Sequence, residues 1–339
     1  MAASAGASTA SATPGSRVLV TGAGGFIGSH VVEQLVESGA IVRALVRYNS
    51  RNDWGRLQDL SRAVLAEVDV YTGDLANPEA VAAAVAGCET VLHLGALIPI
   101  PYSYRHPREF LTVNVEGTMN VLEAARRADV RRVVHLSSSE VYGTAQQIPI
   151  PETHPLHPQS PYAASKVAAD QLALSYFRSF ALPVVIARPF NTFGPRQSAR
   201  AVIPTIIAQA LARDHIELGA LDTTRDFSFV TDTARGVIHC ASAAGVEGEE
   251  LNLGTGEEHS IARVVADVGA ILGRKLTVIE SQTRLRPPAS EVGRLVADCT
   301  KMRMRTGWQP RVSFAEGLEQ TIAWLEAALP TFKPELYNV

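Results

Sequence analysis

The sequence predicts an α/β protein built on a doubly wound parallel sheet, with a second, smaller α/β unit beside it. Three observations carry that expectation. Short β-branched runs alternate with amphipathic helical stretches from Arg17 to about residue 190, the runs are apolar almost throughout, and a glycine-rich loop joins the first run to the first helical stretch. Near-continuous apolar strands separated by helices imply parallel strands covered on both faces. Ligands of such a sheet bind beyond the carboxyl ends of its strands, so the loops there are where chemistry is sought.

Taken in order, MAASAGASTASATPGS (1–16) has no charged side chain and no large apolar residue beyond Met1, and reads as a disordered tail. It lacks the basic start and apolar centre of a secretory signal, and the arginines of a transit peptide. Strands are expected at RVLVTG (17–22), IVRALV (41–46), VDVYTGDL (68–75), TVLHLG (90–95), RVVHLSS (132–138) and PVVIARP (183–189). Between them FIGSHVVEQLVES, PEAVAAAVAG and segments near 107–129 and 161–180 read as helices. After residue 190 the rhythm changes. AVIPTIIAQALARD looks helical, RDFSFV strand-like, and helices at 260–272 and 314–328 flank short strands. RDFSFV through LNLGTG is expected to return to the main sheet, giving a dinucleotide-binding domain over 17–190 plus about 226–256 and a second domain over 191–225 plus about 257–339.

With 46% hydrophobic and 19% charged residues, the 339-residue chain can bury one large core and a smaller partner, which excludes a disordered protein. A net charge of -3 and a pI near 6.3 give no broad basic face for nucleic acid. No apolar run approaches the ~20 residues that span a bilayer, so no membrane partner is expected. Cys88, Cys240 and Cys299 are odd in number and far apart, so neither a disulfide framework nor a metal site is indicated, and a reducing cytoplasm is the expected home.

Thr21-Gly22-Ala23-Gly24-Gly25-Phe26-Ile27-Gly28 follows the first strand and opens the first helix. Glycines at 22, 25 and 28 permit a tight turn, close approach of backbone to a pyrophosphate and tight helix–strand packing, with the helix N-terminus facing the anion. The end of the second strand decides which dinucleotide. Leu45-Val46-Arg47-Tyr48-Asn49-Ser50-Arg51 offers no acid until Asp53, and Arg47, with Ser50 or Arg51, suits a 2'-phosphate because guanidinium pairs with phosphate bidentately. NADP is favoured on that ground, with NAD as the alternative. Asp74, followed by Leu75 after the third strand, suits either the adenine amino group or a helix cap.

Ser160-Pro161-Tyr162 has the form of a helix start, an N-cap serine followed by proline in the first turn. Tyr162 and Lys166 then share a face. An ammonium beside a phenol favours the phenolate, which lets Tyr162 serve as a base near neutral pH, and an oxidised nicotinamide would add positive charge.

Thr21-Gly-x-x-Gly-x-x-Gly28, Asp74, Ser138 at a strand end and Tyr162-x-x-x-Lys166 occur in the order and spacing of the extended short-chain dehydrogenase/reductase family, which the sequence resembles from about Arg17 to near its C-terminus. The resemblance implies a Rossmann-type cofactor domain and a nucleotide-sugar substrate. It further implies a Ser138/Tyr162/Lys166 triad, a dinucleotide reduced and reoxidised within one turnover, and a homodimer paired through helices that include the Tyr-Lys one. The cofactor-binding residues so implied are Gly22, Gly25, Phe26, Ile27, Gly28, Arg47, Asp74 and Leu75, with Tyr162 and Lys166.

Within that family Ser137-Ser138-Ser139-Glu140-Val141-Tyr142-Gly143 resembles the 4,6-dehydratase version of the motif, where a glutamate stands second after the triad hydroxyl. Oxidation at C4 acidifies the C5 proton, a carboxylate can remove it while the C6 hydroxyl leaves, and hydride returned to C6 gives a 4-keto-6-deoxy sugar. Dehydratases acting on dTDP-glucose place an aspartate before that glutamate. Ser139 stands there, as in the GDP-mannose dehydratases, leaving Glu140 to serve both steps or to work with water. Elimination without return to a saturated sugar, a 5,6-dehydratase, stays open, as does a 4-epimerase. A non-catalytic NADP-binding regulator would have no need of the triad.

The stretch Arg188–Arg196, RPFNTFGPR, resembles the family segment that crosses to the sugar nucleotide, with Asn191 and Arg196 as substrate candidates. Arg225 and Arg294 look like diphosphate-binding arginines. Arg200, Val202 and Arg286 are expected to border the base. RYNS with DWG (47–50, 53–55), ALIPIPYSY (96–104) and PRQSAR (195–200) are similar to legionaminic-acid-type dehydratases, which implies an N-acetylglucosamine nucleotide and leaves the base open.

Overall fold

Apolar alternation decides which way each strand faces. In β1 (Arg17–Thr21) Val18 and Val20 point into one core, packed with Val31, Val32 and Leu35 of the helix Phe26–Glu37, whereas Leu19 points into the other with Val81 and Val121. The same holds for β2 (Ile41–Val46), β3 (Val68–Thr72), β4 (Thr90–His93), β5 (Arg132–Leu136) and β6 (Val184–Pro189). The computed structural model describes residues 14–336. In it, Glu250–Leu253 joins these six strands in a parallel sheet of order (250–253)-β6-β5-β4-β1-β2-β3. The order reverses between β1 and β4, so a crevice opens at their carboxyl ends.

Three observations differ from the sequence expectations. Residues 1–13 of the expected tail lie outside the described residues, and the remainder of it is held: Gly15 N donates to Gly39 O (2.9 Å) and Ser16 O accepts from Ile41 N (3.0 Å). Phe227–Phe229 does not enter the main sheet. It pairs in parallel with Asn191–Phe193, the continuation of β6, and only Glu250–Leu253 returns. The helical stretch 107–127 is interrupted at Leu111–Glu116 by a wider, π-type turn, a feature often found beside functional sites.

The helix Val230–Ser242 packs into the sheet core, and other elements after β6 enclose a core of their own, in which Phe193, Phe227 and Phe229 meet Ile203 and Ile207 of the helix Val202–Ala212 and Leu318 of the helix Phe314–Ala328. The last helix is fixed at its start by Ser313 and Glu316, which cap each other's backbone. No helix among the described residues is long and apolar enough to cross a membrane.

Candidate active site

The glycine loop makes a cradle that side chains would fill. Gly22 has φ +66°, and a Cβ there would stand 2.7 Å from Gly95 N; a Cβ on Gly28 would stand 2.2 Å from Gly22 O. Gly25 N donates to Gly22 O (2.9 Å), closing the turn. The helix that follows begins at Phe26 with neither a side-chain cap nor an acidic residue in its first turn, so Phe26, Ile27 and Gly28 present backbone N–H groups at the positive end of the dipole. Thr21 ties the two central strand ends together, its hydroxyl accepting from Gly95 N (3.0 Å) and meeting His93 Nδ1 (2.8 Å). This cradle fits a dinucleotide pyrophosphate.

At the end of β2, Arg47 is exposed and borders a cavity of about 170 Å³ with Asn49, Ser50, Asp53 and Thr72. Asp53 Oδ1 accepts from Gly55 N (2.6 Å), so the nearest carboxylate is already engaged. Asp74 turns its own loop by accepting from Ala76 N (2.9 Å), while the cap of the helix Pro78–Val85 is Asn77. Leu75 is buried against Gly95 and Gly117, and its carbonyl accepts from Asn120 (2.8 Å).

Ser160 accepts from Ala163 N (3.1 Å) and Pro161 follows it, which starts the helix Pro161–Phe180 where Tyr162 can look out of the sheet end. Ser138 lies two residues beyond β5 in extended backbone, and its hydroxyl accepts from Glu140 N (3.2 Å), capping the short turn Ser139–Tyr142. Ser138 also hydrogen-bonds Tyr162. Ser139 is buried beside it. Lys166 is buried and donates to Leu136 O (2.7 Å).

Sequence reasoning looks to the Lys166 ammonium, together with an oxidised nicotinamide, to favour the Tyr162 phenolate. Burial pushes the phenol up to about 12, opposed by the Ser138 hydrogen bond and reinforced by the charge of Glu140. Burial also lowers Lys166, to about 8. The chain by itself therefore keeps the proton on Tyr162.

Beneath the triad lies a buried network absent from the sequence reading. Asp170 Oδ2 accepts from Ser137 (2.8 Å) and from Arg188 Nε and Nη2 (3.2 and 3.0 Å), and Asp170 Oδ1 stands 3.3 Å from His135 Nε2. His135 falls to about 4, because burial and then Lys166 outweigh the Asp170 contact. Arg188 continues to the Tyr142 hydroxyl (3.2 Å). The signal was present: Asp170 follows Tyr162 and Lys166 at successive four-residue steps on one helix face. Asn114, in the π-type turn, donates to Leu97 O and Ser165 Oγ (both 2.9 Å) and carried no such signal.

A second cavity, of about 290 Å³, borders the core built by Phe193, Ile203 and Phe227. Asn191, Val202, Arg225 and Arg286 line it, with Arg200, Thr223, Arg284 and Glu291. Asn191 Oδ1 is buried without a hydrogen-bond partner. Arg225 is 5% exposed, anchored by Thr224 O (2.8 Å) and facing Glu291 (3.4 Å). The neighbouring Asp226 fixes that strand by accepting from Thr255 N, Gly256 N and Ala297 N. Arg286 Nη1 stands 3.7 Å from Glu140, so the cavity meets the catalytic turn there.

Two other candidates lie elsewhere. Arg196 pairs with Glu33 of the first helix (2.8 Å), and Arg294 is an exposed bidentate partner of Glu258 (2.7 and 2.6 Å). Neither borders the cavity.

The family model for GDP-mannose 4,6-dehydratase matches residues 19–321. A UDP-glucose 4-epimerase of Mycolicibacterium smegmatis is 35% identical, covering 90% of this chain and 97% of its own. A dTDP-glucose 4,6-dehydratase of an Actinoplanes species is 32% identical, covering 92% and 98%. Among solved structures, DesIV, the dTDP-glucose 4,6-dehydratase of Streptomyces venezuelae with NAD bound, superposes with a TM-score of 0.81 at 29% identity, over 94% of this chain and 99% of that one. The chain belongs to the extended short-chain dehydrogenase/reductase family, in its nucleotide-sugar dehydratase and epimerase branch.

Proposed function

We propose that the protein is an NDP-hexose 4,6-dehydratase acting on an N-acetylglucosamine nucleotide, using NADP, and forming a 4-keto-6-deoxy sugar. The observation that carries the reading is the position of Glu140. Its backbone is capped by the triad Ser138, its charge acts on Tyr162, and its carboxylate faces Arg286 of the nucleotide cavity. A carboxylate at that junction can reach a hexose ring whose C4 side lies toward Tyr162.

Each residue then has a task. Arg225 and Arg286, side by side in the cavity, bind the diphosphate by their fork geometry. Arg294 and Arg196 are spoken for by Glu258 and Glu33, so they are left out of the substrate set. Asn191 offers its buried, unpartnered oxygen to a sugar or ribose hydroxyl. The bound dinucleotide would supply reversible hydride exchange at a sugar carbon and positive charge beside the phenol. Tyr162 accepts the C4 hydroxyl proton once that charge opposes the burial that holds its own. Glu140 takes the C5 proton, and the C6–O bond breaks with its oxygen leaving as water, Glu140 or a water delivering the proton it needs; once hydride has returned to C6, a proton exchanged with solvent goes back to C5 and gives the saturated 4-keto-6-deoxy sugar. Arg47, unopposed by a free acid at the end of β2, supports NADP over NAD. A homodimer is supported by exposed Leu111, Met119 and Phe180 on the helices flanking one face (54%, 43% and 54%), and light scattering tests it.

The identity to a 4-epimerase supports a second reading with the same triad. Incubation of the purified protein with UDP-, dTDP- and GDP-linked hexoses and N-acetylhexosamines, followed by mass spectrometry, separates them. Loss of one water is the expected result. An isomer of unchanged mass would establish the epimerase instead, and a product unsaturated between C5 and C6 the 5,6-dehydratase.

A further inference from the structure

Arg286 is held in an unfinished arrangement. Its Nη1 lies 3.7 Å from Glu140 Oε1 and 4.0 Å from Glu291 Oε1, beyond hydrogen-bond reach of either, and that nitrogen is buried with no hydrogen-bond partner. A buried guanidinium nitrogen without an acceptor is costly, and so is poised for one. Glu291 is drawn the other way, toward Arg225 at 3.4 Å. The loop carrying Arg286 and Glu291 is latched on two sides: Gln159, just before the catalytic helix, donates to Ala289 O (2.8 Å), and Tyr104 of the helix Ile100–Arg105 meets Ser290 Oγ (2.6 Å). The backbone that carries Arg286 is thus tied close to the catalytic turn.

Building on the nucleotide-sugar reading above, we propose that Arg286 is a positioning residue shared between Glu140 and the substrate diphosphate. The diphosphate draws the guanidinium off Glu140, so that occupation of the nucleotide end frees the carboxylate at the sugar end. A doubly charged diphosphate with several oxygens outcompetes one carboxylate that the arginine does not hydrogen-bond. The groups facing Glu140 are Ser138 from its own turn, Tyr162 from the catalytic helix, and Arg225 and Arg286 from the substrate side. Of these only the two arginines oppose its charge. The device makes the base available chiefly when a complete nucleotide sugar is in place.

Linkage makes this testable without chemistry, because a contact that ligand binding breaks must weaken that binding by the same factor. Calorimetric titration with UDP, dTDP and GDP in turn is performed on the wild type, Glu140→Gln, Arg286→Gln and the double variant. Glu140→Gln is expected to bind the accepted nucleoside diphosphate more tightly, by roughly fivefold, the low end of usual coupling. In the Arg286→Gln background that gain is expected to vanish. Where Arg286→Gln binds too weakly to measure, Arg286→Lys closes the cycle, with the gain reduced. Unchanged affinity in Glu140→Gln, or a gain that persists in full without Arg286, would overturn the coupling and leave the dehydratase reading standing. Binding of none of the three nucleotides by the wild type would overturn both.

Discussion

The two ends of the site are made of different material. The dinucleotide end is backbone: glycines at 22, 25 and 28, the uncapped N-terminus at Phe26, and hydroxyls such as Thr21 that tie strand tips together. The substrate end is side-chain charge, Arg225 and Arg286 facing Glu140 and Glu291 across a cavity. Backbone dipoles are fixed by the fold and need no rearrangement when an anion arrives. Charged side chains begin with one another as partners and must exchange them. The first end is accordingly suited to holding one ligand throughout a turnover, and the second to recognising a ligand that comes and goes.

Tyr162→Phe should divide the two ends most sharply. Removing the proton acceptor is expected to cut turnover by roughly 10² to 10⁴, the usual worth of a general acid–base group, while dinucleotide affinity measured by fluorescence titration stays within about twofold. A matching loss of dinucleotide affinity would mean that the phenol is part of the cradle and the division is false.

Acid tests the network beneath both ends. His135 and His30 are each lowered to about 4, chiefly by burial. Unfolded histidine takes up its proton near 6.5 and these do not, so between pH 6.5 and 4 the unfolded state holds more protons and folding stability falls as pH falls. A loss on the order of a few kcal/mol across that window is expected from chemical denaturation at successive pH values. A flat profile would place the buried charge elsewhere.

Gly28→Ala attacks the backbone end alone. Its Cβ would meet Gly22 O at 2.2 Å, so dinucleotide affinity should fall by roughly tenfold or more, the effect of about 1.4 kcal/mol of displaced backbone. Nucleoside diphosphate affinity should hold. Arg47→Ala is expected to weaken NADP by roughly three- to tenfold, the loss of one exposed charged contact, and to leave NAD unchanged; equal effects on both would remove the case for a 2'-phosphate partner. Smallest of all is Arg294→Ala. An exposed pair with Glu258 contributes little, about 0 to 1 kcal/mol, so the Michaelis constant for the nucleotide sugar should move by less than about twofold, whereas a tenfold rise would return Arg294 to the substrate set.

The contrast between the two ends also explains what could be read from the chain. The glycine loop, Ser138 and the Tyr162–Lys166 pair sit at fixed short spacings on a strand end or one helix, and periodicity alone locates them. The six strands from Arg17 to Pro189 are short, largely β-branched runs at regular intervals, and they are equally plain. Arg225 and Arg286 meet across two helices, Val230–Ser242 and Ile261–Ile271, with the strands and turns around them, and no local pattern separates Arg286 in the cavity from Arg294 on the surface. The same holds for Arg196, whose partner, Glu33, lies far back in the first helix. Phe227–Phe229 has the apolar look of a sheet strand but pairs with Asn191–Phe193, because β6 is already flanked by Glu250–Leu253. Burial, invisible in a four-residue spacing, is what holds the proton on Tyr162 in the free protein.

At the centre of the account is the claim that Glu140 removes the C5 proton. The most direct measurement is deuterium at C5 of the sugar recovered after incubation with cofactor in D2O, read by NMR for the wild type and Glu140→Gln side by side. The account predicts C5 deuterium with the wild type and, at equal time, none above background with Glu140→Gln, although the variant still binds nucleotide. Deuterium entering C5 at the wild-type rate in Glu140→Gln would contradict it.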